Sequence, residues 1–178
     1  MVFNDDFRDG MALLAGAVSV VTTDGPCGRA GFTASAVCSG TDQPPTILVC
    51  MNRSSFAHRF FVENGVLCVN VLSSEQETHS RLFSDREATM PQRFAAVAWR
   101  PLETGSPALE GALVNFDADI VQTHEVGTHS LFYAQLRCVR LLEADAGGLV
   151  YFNRTYRRLE ADPPGVKVHS TNIRKMSK

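Results

Sequence analysis

Apolar residues in this chain fall mostly at alternate positions or in short β-branched runs. Helical spacing is confined to a few short stretches. Residues 17–23, A-V-S-V-V-T-T, read as a strand. Asp24-Gly25-Pro26 with Gly28 supplies a turn, so 17–23 and 29–39 form a hairpin. Pro44-Pro45 closes the connection to a strand over 46–51, and 66–72 is another. Two long strand-like runs, 112–124 and 130–142, flank E-V-G-T-H. Gly147-Gly148 then turns into a last strand, 149–152.

Three helices fit between these strands. Residues 5–15 put Phe7, Met11 and Leu14 on one face, with Asp5 or Asp6 as cap. Residues 54–64 start at Ser54 or Ser55 and stop at Gly65. Ser73 forms a capping box with Gln76, and Ser74 one with Glu77, opening a helix that reaches about Phe83. Residues 84–107 are mixed and polar, hold the one tryptophan, Trp99, and read as loop with a short helix or strand. Many strands are consecutive, so the chain is mainly β, an antiparallel β-barrel with peripheral helices.

At 178 residues one domain is expected, with enough chain for a substantial core. A formal net charge of -2 gives no basic bias toward nucleic acid. No apolar run approaches the length of a membrane helix, and the acidic start M-V-F-N-D-D lacks the apolar core of a signal peptide. Of five cysteines, none in a C-x-x-C pair, Cys38, Cys50, Cys68 and Cys138 lie in strand-like runs and read as small buried hydrophobes in a reducing cytoplasm. Cys27 sits in a turn, and reactivity there would need a basic neighbour to lower its pKa. His124 and His129 lack the further ligands a zinc site needs, so no metal is expected.

The most informative run lies between Gly28 and Ser55. Thr33, Ala34 and Ser35 form a small-residue segment that would let a flat ring lie against the backbone. A strand packed closely on another strand would show the same residues. Asn52, Arg53, Ser54 and Ser55 stand where a strand hands over to a helix. Free N–H groups, hydroxyls and a guanidinium there suit a phosphate. A helix cap alone needs fewer polar residues. G-T-H at 127–129 is a common turn sequence on its own.

These segments, with G-L-V-Y-F-N-R-T-Y at 148–156, resemble the short-chain flavin reductases over residues 7–159. That family includes the reductase components of 4-hydroxyphenylacetate 3-monooxygenases and the flavin reductases of pyrimidine degradation. The resemblance implies a flavin-binding split β-barrel of Greek-key topology, usually a homodimer. It implies an NAD(P)H:flavin oxidoreductase that reduces FMN or FAD with NADH or NADPH and releases the product to a separate monooxygenase. In that family Thr33, Ala34 and Ser35 would face the isoalloxazine ring, and Ser39 falls on a matching position. Asn52, Arg53, Ser54 and Ser55 would hold the phosphate. His129 would lie over the flavin, meet the nicotinamide and act in hydride transfer. Thr128 stands where many members carry Asp. Tyr156, with Phe152, would help hold the pyridine nucleotide. A flavin binder without reductase activity is the alternative on the same fold. The basic tail, 160–178, is set apart from the 1–159 domain, either draped on the surface or touching nucleotide phosphates or a partner.

Overall fold

A computed structural model of the chain describes residues 3–142 and 146–161. The elements begin with α1 (Asn4–Ala12), β1 (Gly16–Ala17), β2 (Ser19–Thr23), β3 (Ala30–Ala34), β4 (Val37–Asp42) and β5 (Pro45–Asn52). Then come α2 (His58–Asn64), β6 (Val66–Val71), α3 (Glu77–Ser84), α4 (Met90–Ala95), β7 (Trp99–Pro101) and β8 (Pro107–Leu109). Two long strands, β9 (Val114–Val126) and β10 (His129–Leu141), precede the hairpin β11 (Leu149–Phe152) and β12 (Thr155–Arg158). The basic tail beyond Ala161 lies outside the described residues.

Seven strands form one antiparallel sheet in the order β3-β2-β6-β9-β10-β5-β4. Its two edges, β3 and β4, are consecutive in the chain and joined only by Ser35 and Ala36. Three Cα steps span at most about 11 Å, so the sheet must roll until its edges meet at that corner. The rolled interior holds Val21, Val49, Met51, Phe61, Leu67, Val69 and Phe132. A second core, with Val18, Val20, Leu72, Phe83, Phe94, Leu109 and Leu149, lies on the other side of β2. Alternation along a strand sends Val20 and Val21 to opposite faces, which is why β2 is buried throughout.

The mainly β reading stands, with several local differences. The strand expected over 29–39 breaks at Ser35, and its halves pair at opposite edges of the sheet. Its alternation continues across the break, so periodicity alone could not show it. The helix expected from Ser54 begins at His58, and neither serine caps it. Its far end is as expected: Gly65 closes it at φ 68°. The polar stretch after Ser84 contains α4, opened by a capping box of Thr89 and Gln92. The strand at 149–152 turns back as β12 through Asn153 and Arg154, both at positive φ (48° and 58°). Arginine is a poor signal for such a turn, so the hairpin was not legible. Of the strand cysteines expected to be buried, only Cys68 is; Cys50 and Cys138 are half-buried, and Cys38 is exposed because it lies on the edge strand β4.

His58 ties α2 to the sheet: its Nε2 and the Ser130 Oγ are 2.9 Å apart. Burial pushes its pKa down; Glu125 opposes this and Arg53 reinforces it. The fold therefore favours the neutral ring, a contribution complete above the ordinary histidine value and lost as pH falls through the depressed one. Urea unfolding should show stability declining from about pH 7 to about pH 5, and His58→Gln should flatten that limb. An identical pH profile in the variant would contradict this role.

Candidate active site

β5 ends in a turn whose hydroxyls face a cleft. The Asn52 Oδ1 accepts hydrogen bonds from the Ser54 N–H and the Ser54 Oγ, each 2.9 Å. The Ser55 N–H bonds back to the Asn52 carbonyl, and the Ser55 carbonyl accepts from the His58 N–H. Neither serine is spent on a helix cap, so the Ser55 hydroxyl stays available. Asn52, Ser54 and Ser55 line a cleft of about 930 Å³ together with Gly31, Phe32 and Thr33 of β3. Thr33 and the hydroxyl turn thus meet in one concavity, while Ala34 and Ser35 line a second one.

β3 is an edge strand, so part of its N–H and C=O groups have no sheet partner. Those groups are what the edge of a flat heterocycle could bond. Gly31 lets Phe83 lie against this strand; a Cβ there would stand 2.8 Å from the Phe83 ring. A second concavity, about 430 Å³, adjoins the first. Thr33 and Ser84 line both. Ala34, Ser35, Arg81, Tyr151, Arg154 and Tyr156 are among the other residues of the second.

Ser80 joins the two sides. The Thr33 Oγ1 donates to the Ser80 carbonyl at 2.6 Å, and the Ser80 Oγ and Tyr156 hydroxyl are 2.8 Å apart. Ser80 is fully buried. The Arg81 guanidinium lies 4.9 Å from the Tyr156 ring centroid and is anchored by Glu77. Tyr151 meets the same ring edge-on at 5.3 Å. Tyr156 is thereby fixed on one face, one edge and its hydroxyl.

Other expected residues lie elsewhere. Arg53 turns away from the cleft to hold the β9–β10 hairpin. Its Nη1 pairs with Glu125 at 2.6 Å, its Nη2 donates to the Gly127 carbonyl, and its N–H donates to the Thr128 carbonyl. His129 opens β10 directly across from Asn52 and is exposed. Its Nδ1 is 2.9 Å from the Thr128 Oγ1. It lines neither concavity and sits at the rim beside the hydroxyl turn, away from Thr33, Ala34 and Ser35. Ser39 is exposed on β4 opposite Ile47 and lines neither concavity.

The cleft also contains residues that sequence reasoning missed. The Arg93 guanidinium is buried and caged by the carbonyls of Ala88, Gly31, Phe83 and Asp85. Burial lowers its pKa, with Asp85 opposing. It shapes the segment that brings Arg86 to the cleft wall. The Thr89-x-x-Gln92 capping box was the available signal for this segment. Ser80 gave none, because it sits mid-helix and its partners are distant in sequence. Glu63, through a hydrogen bond and its charge, and desolvation push the Cys27 thiol pKa up, with Arg59 opposing. Among the described residues no helix is long and apolar enough to cross a membrane.

Residues 11–160 match the family described as flavin reductase like domain. The chain is 52% identical over 158 residues to a protein of Serratia proteamaculans named FMN reductase (NADH) RutF, covering 89% of each. Among solved structures, it superposes on the Streptomyces globisporus NADH:FAD oxidoreductase SgcE6, solved with NAD and FAD fragments. The TM-score is 0.82 at 26% identity, covering 91% of this chain and 98% of that one. BorF, the flavin reductase component of a bacterial two-component tryptophan halogenase, superposes at TM-score 0.82 and 29% identity, over 89% and 99% of the two chains. An edge strand of small residues, an adjoining hydroxyl turn and these relatives lead to one assignment: the chain belongs to the flavin reductase-like domain family.

Proposed function

We propose that this protein is an NADH-dependent flavin reductase that acts on FMN and passes the reduced flavin to a separate monooxygenase. The observation that carries the reading is the junction of two concavities at Thr33 and Ser84. One offers a flat edge strand beside a hydroxyl turn, which suits a planar ring with a phosphate. The other offers an anchored aromatic wall over the same strand, which suits a second flat ring. The chemistry supplied by the bound pair is transfer of a hydride from NADH, with a proton from solvent, to give reduced flavin and NAD⁺.

The chain's own residues bind and align. Thr33, Ala34 and Ser35 give the ring a floor without bulk and hydrogen bonds along its edge. Asn52, Ser54 and Ser55 hold the phosphate, and Arg86 supplies positive charge nearby. Arg53 acts indirectly, by fixing the hairpin that carries His129. Tyr156 positions the nicotinamide side, and much of the rate comes from holding the two rings in register. His129 supplies an imidazole at the rim, where it orients the incoming nucleotide and stabilises negative charge. Ser39 matches a family position, but it lies on β4 opposite Ile47 and lines neither concavity, so it is given no role in binding.

The rolled sheet is read as a split barrel with Greek-key connections. β5 leads to β6 across the barrel, next to β2 rather than beside β5, which supports that topology. A homodimer is the assembly we favour. Leu48, Cys50, Leu131 and Tyr133 form a half-buried outer face, and Phe3, Phe7 and Leu14 are exposed near α1.

Mixing the protein with NADH and excess FMN should cause rapid loss of nicotinamide absorbance. Flavin binding without NADH oxidation would replace this reading with a passive flavin binder. His129→Ala should lower kcat with NADH by about ten-fold or more while FMN affinity changes little. Loss of FMN affinity alone would contradict its role. Ser80→Ala should release Tyr156 and raise the KM for NADH about five-fold, with FMN affinity unchanged and Ser80→Thr restoring it. An equal loss for both ligands would reduce Ser80 to a structural residue.

A further inference from the structure

We propose that Arg93 is a positioning residue for flavin binding: it holds the link between α3 and α4, residues 85–89, so that Arg86 meets the flavin phosphate and the protein prefers FMN to riboflavin. This role rests on the flavin reading above. Arg93 is only 8% exposed. Among the described residues, every hydrogen bond of its guanidinium goes to a backbone carbonyl. Its Nε donates to Ala88 at 3.1 Å, its Nη1 to Gly31 at 3.2 Å and to Phe83 at 2.9 Å, and its Nη2 to Asp85. One planar fork thus joins three pieces of chain: β3, the end of α3 and the link. An ammonium could not do this, because its three donors radiate from a single atom.

The pieces that the fork joins differ in their other supports. β3 is paired with β2 along its whole length, from Ala30 opposite Thr23 to Ala34 opposite Ser19. The link belongs to no sheet. Besides Arg93, the Asp85 Oδ1 fastens it by accepting from the Glu87 N–H at 2.9 Å, and Thr89 forms a capping box with Gln92. Both ties are local, and neither sets the link against β3. Loss of the Arg93 bonds therefore frees the link and leaves the ring floor in place. The link carries Asp85, Arg86 and Glu87, all exposed and all on the cleft wall. Opposite charges stand side by side, so a link that samples many conformations offers a phosphate no net attraction. A link held in one conformation can present Arg86, with the Asp85 carboxylate turned onto its own backbone. Burying a guanidinium costs desolvation, and fixing that choice of charge is the return.

The test compares wild type, Arg93→Lys, Arg86→Ala and the double variant for FMN affinity, riboflavin affinity and kcat with NADH at saturating FMN. Lysine keeps the buried charge and loses the fork. Arg86→Ala alters an exposed side chain, so the role stays testable even where the lysine variant fails to fold. Each single variant should bind FMN about ten-fold more weakly, the scale of one charge-assisted hydrogen bond, with riboflavin affinity and kcat within two-fold. The double variant should lose no more FMN affinity than either single one, because both changes remove the same contact. Equal losses for FMN and riboflavin would make Arg93 a purely structural tie and overturn the proposal. Unchanged FMN affinity in either single variant, or losses that multiply in the double, would overturn it as well. Failure of wild type to bind either flavin would instead overturn the flavin reading itself.

Discussion

The short link between β3 and β4 is the constraint on which the site depends. Ser35 and Ala36 join strands that pair at opposite edges of a seven-stranded sheet. So short a link forces the sheet to roll, and the roll brings β3 close to the end of β5. Thr33 and the hydroxyl turn are separated by 18 intervening residues, Ala34 to Met51, yet line one cleft, and Ala34 and Ser35 line the concavity that shares Thr33 with it. Rolling also leaves β3 as an edge, so its backbone keeps hydrogen-bonding groups that an inner strand would spend on a neighbour. Closure and ligand capacity therefore have a single cause.

Buried polar side chains then fix the parts that the roll brings together. Arg93 gathers four carbonyls from β3 and the segment before α4. Ser80 binds β3 on one side and Tyr156 on the other. Arg53 locks the hairpin that presents His129. Each acts through another residue and makes a separate piece of chain keep one geometry. Such ties cost desolvation, and they are worthwhile where geometry decides whether two flat ligands align.

Much of this was legible in the sequence, for definable reasons. The β-branched run of β2 and the long β9–β10 pair carry strong local signals. Gly65 marked the end of α2, and the clusters Thr33-Ala34-Ser35 and Asn52-Ser54-Ser55 could be picked out by composition. What stayed hidden is set by partners remote in sequence. The break at Ser35 preserves alternation, and the sheet's pairing order alone reveals it. The start of α2 was misplaced because Ser54 and Ser55 look like caps and serve a turn instead. Arg53 read as a phosphate ligand by type, yet Glu125 and the Gly127 carbonyl claim its guanidinium. His129 was placed by resemblance over the ring, while its strand register sets it beside Asn52 in the single chain. Arg93 carries no motif, and its role follows from carbonyls of other segments.

The central claim is that one cleft takes a flavin with its ring on β3 and its phosphate in the turn after β5. A crystal of the protein soaked with FMN tests this most directly. The account predicts the ring against Thr33, Ala34 and Ser35 and the phosphate within hydrogen-bond distance of Ser54 and Ser55. A flavin bound elsewhere, or bound here with its phosphate away from that turn, would contradict it.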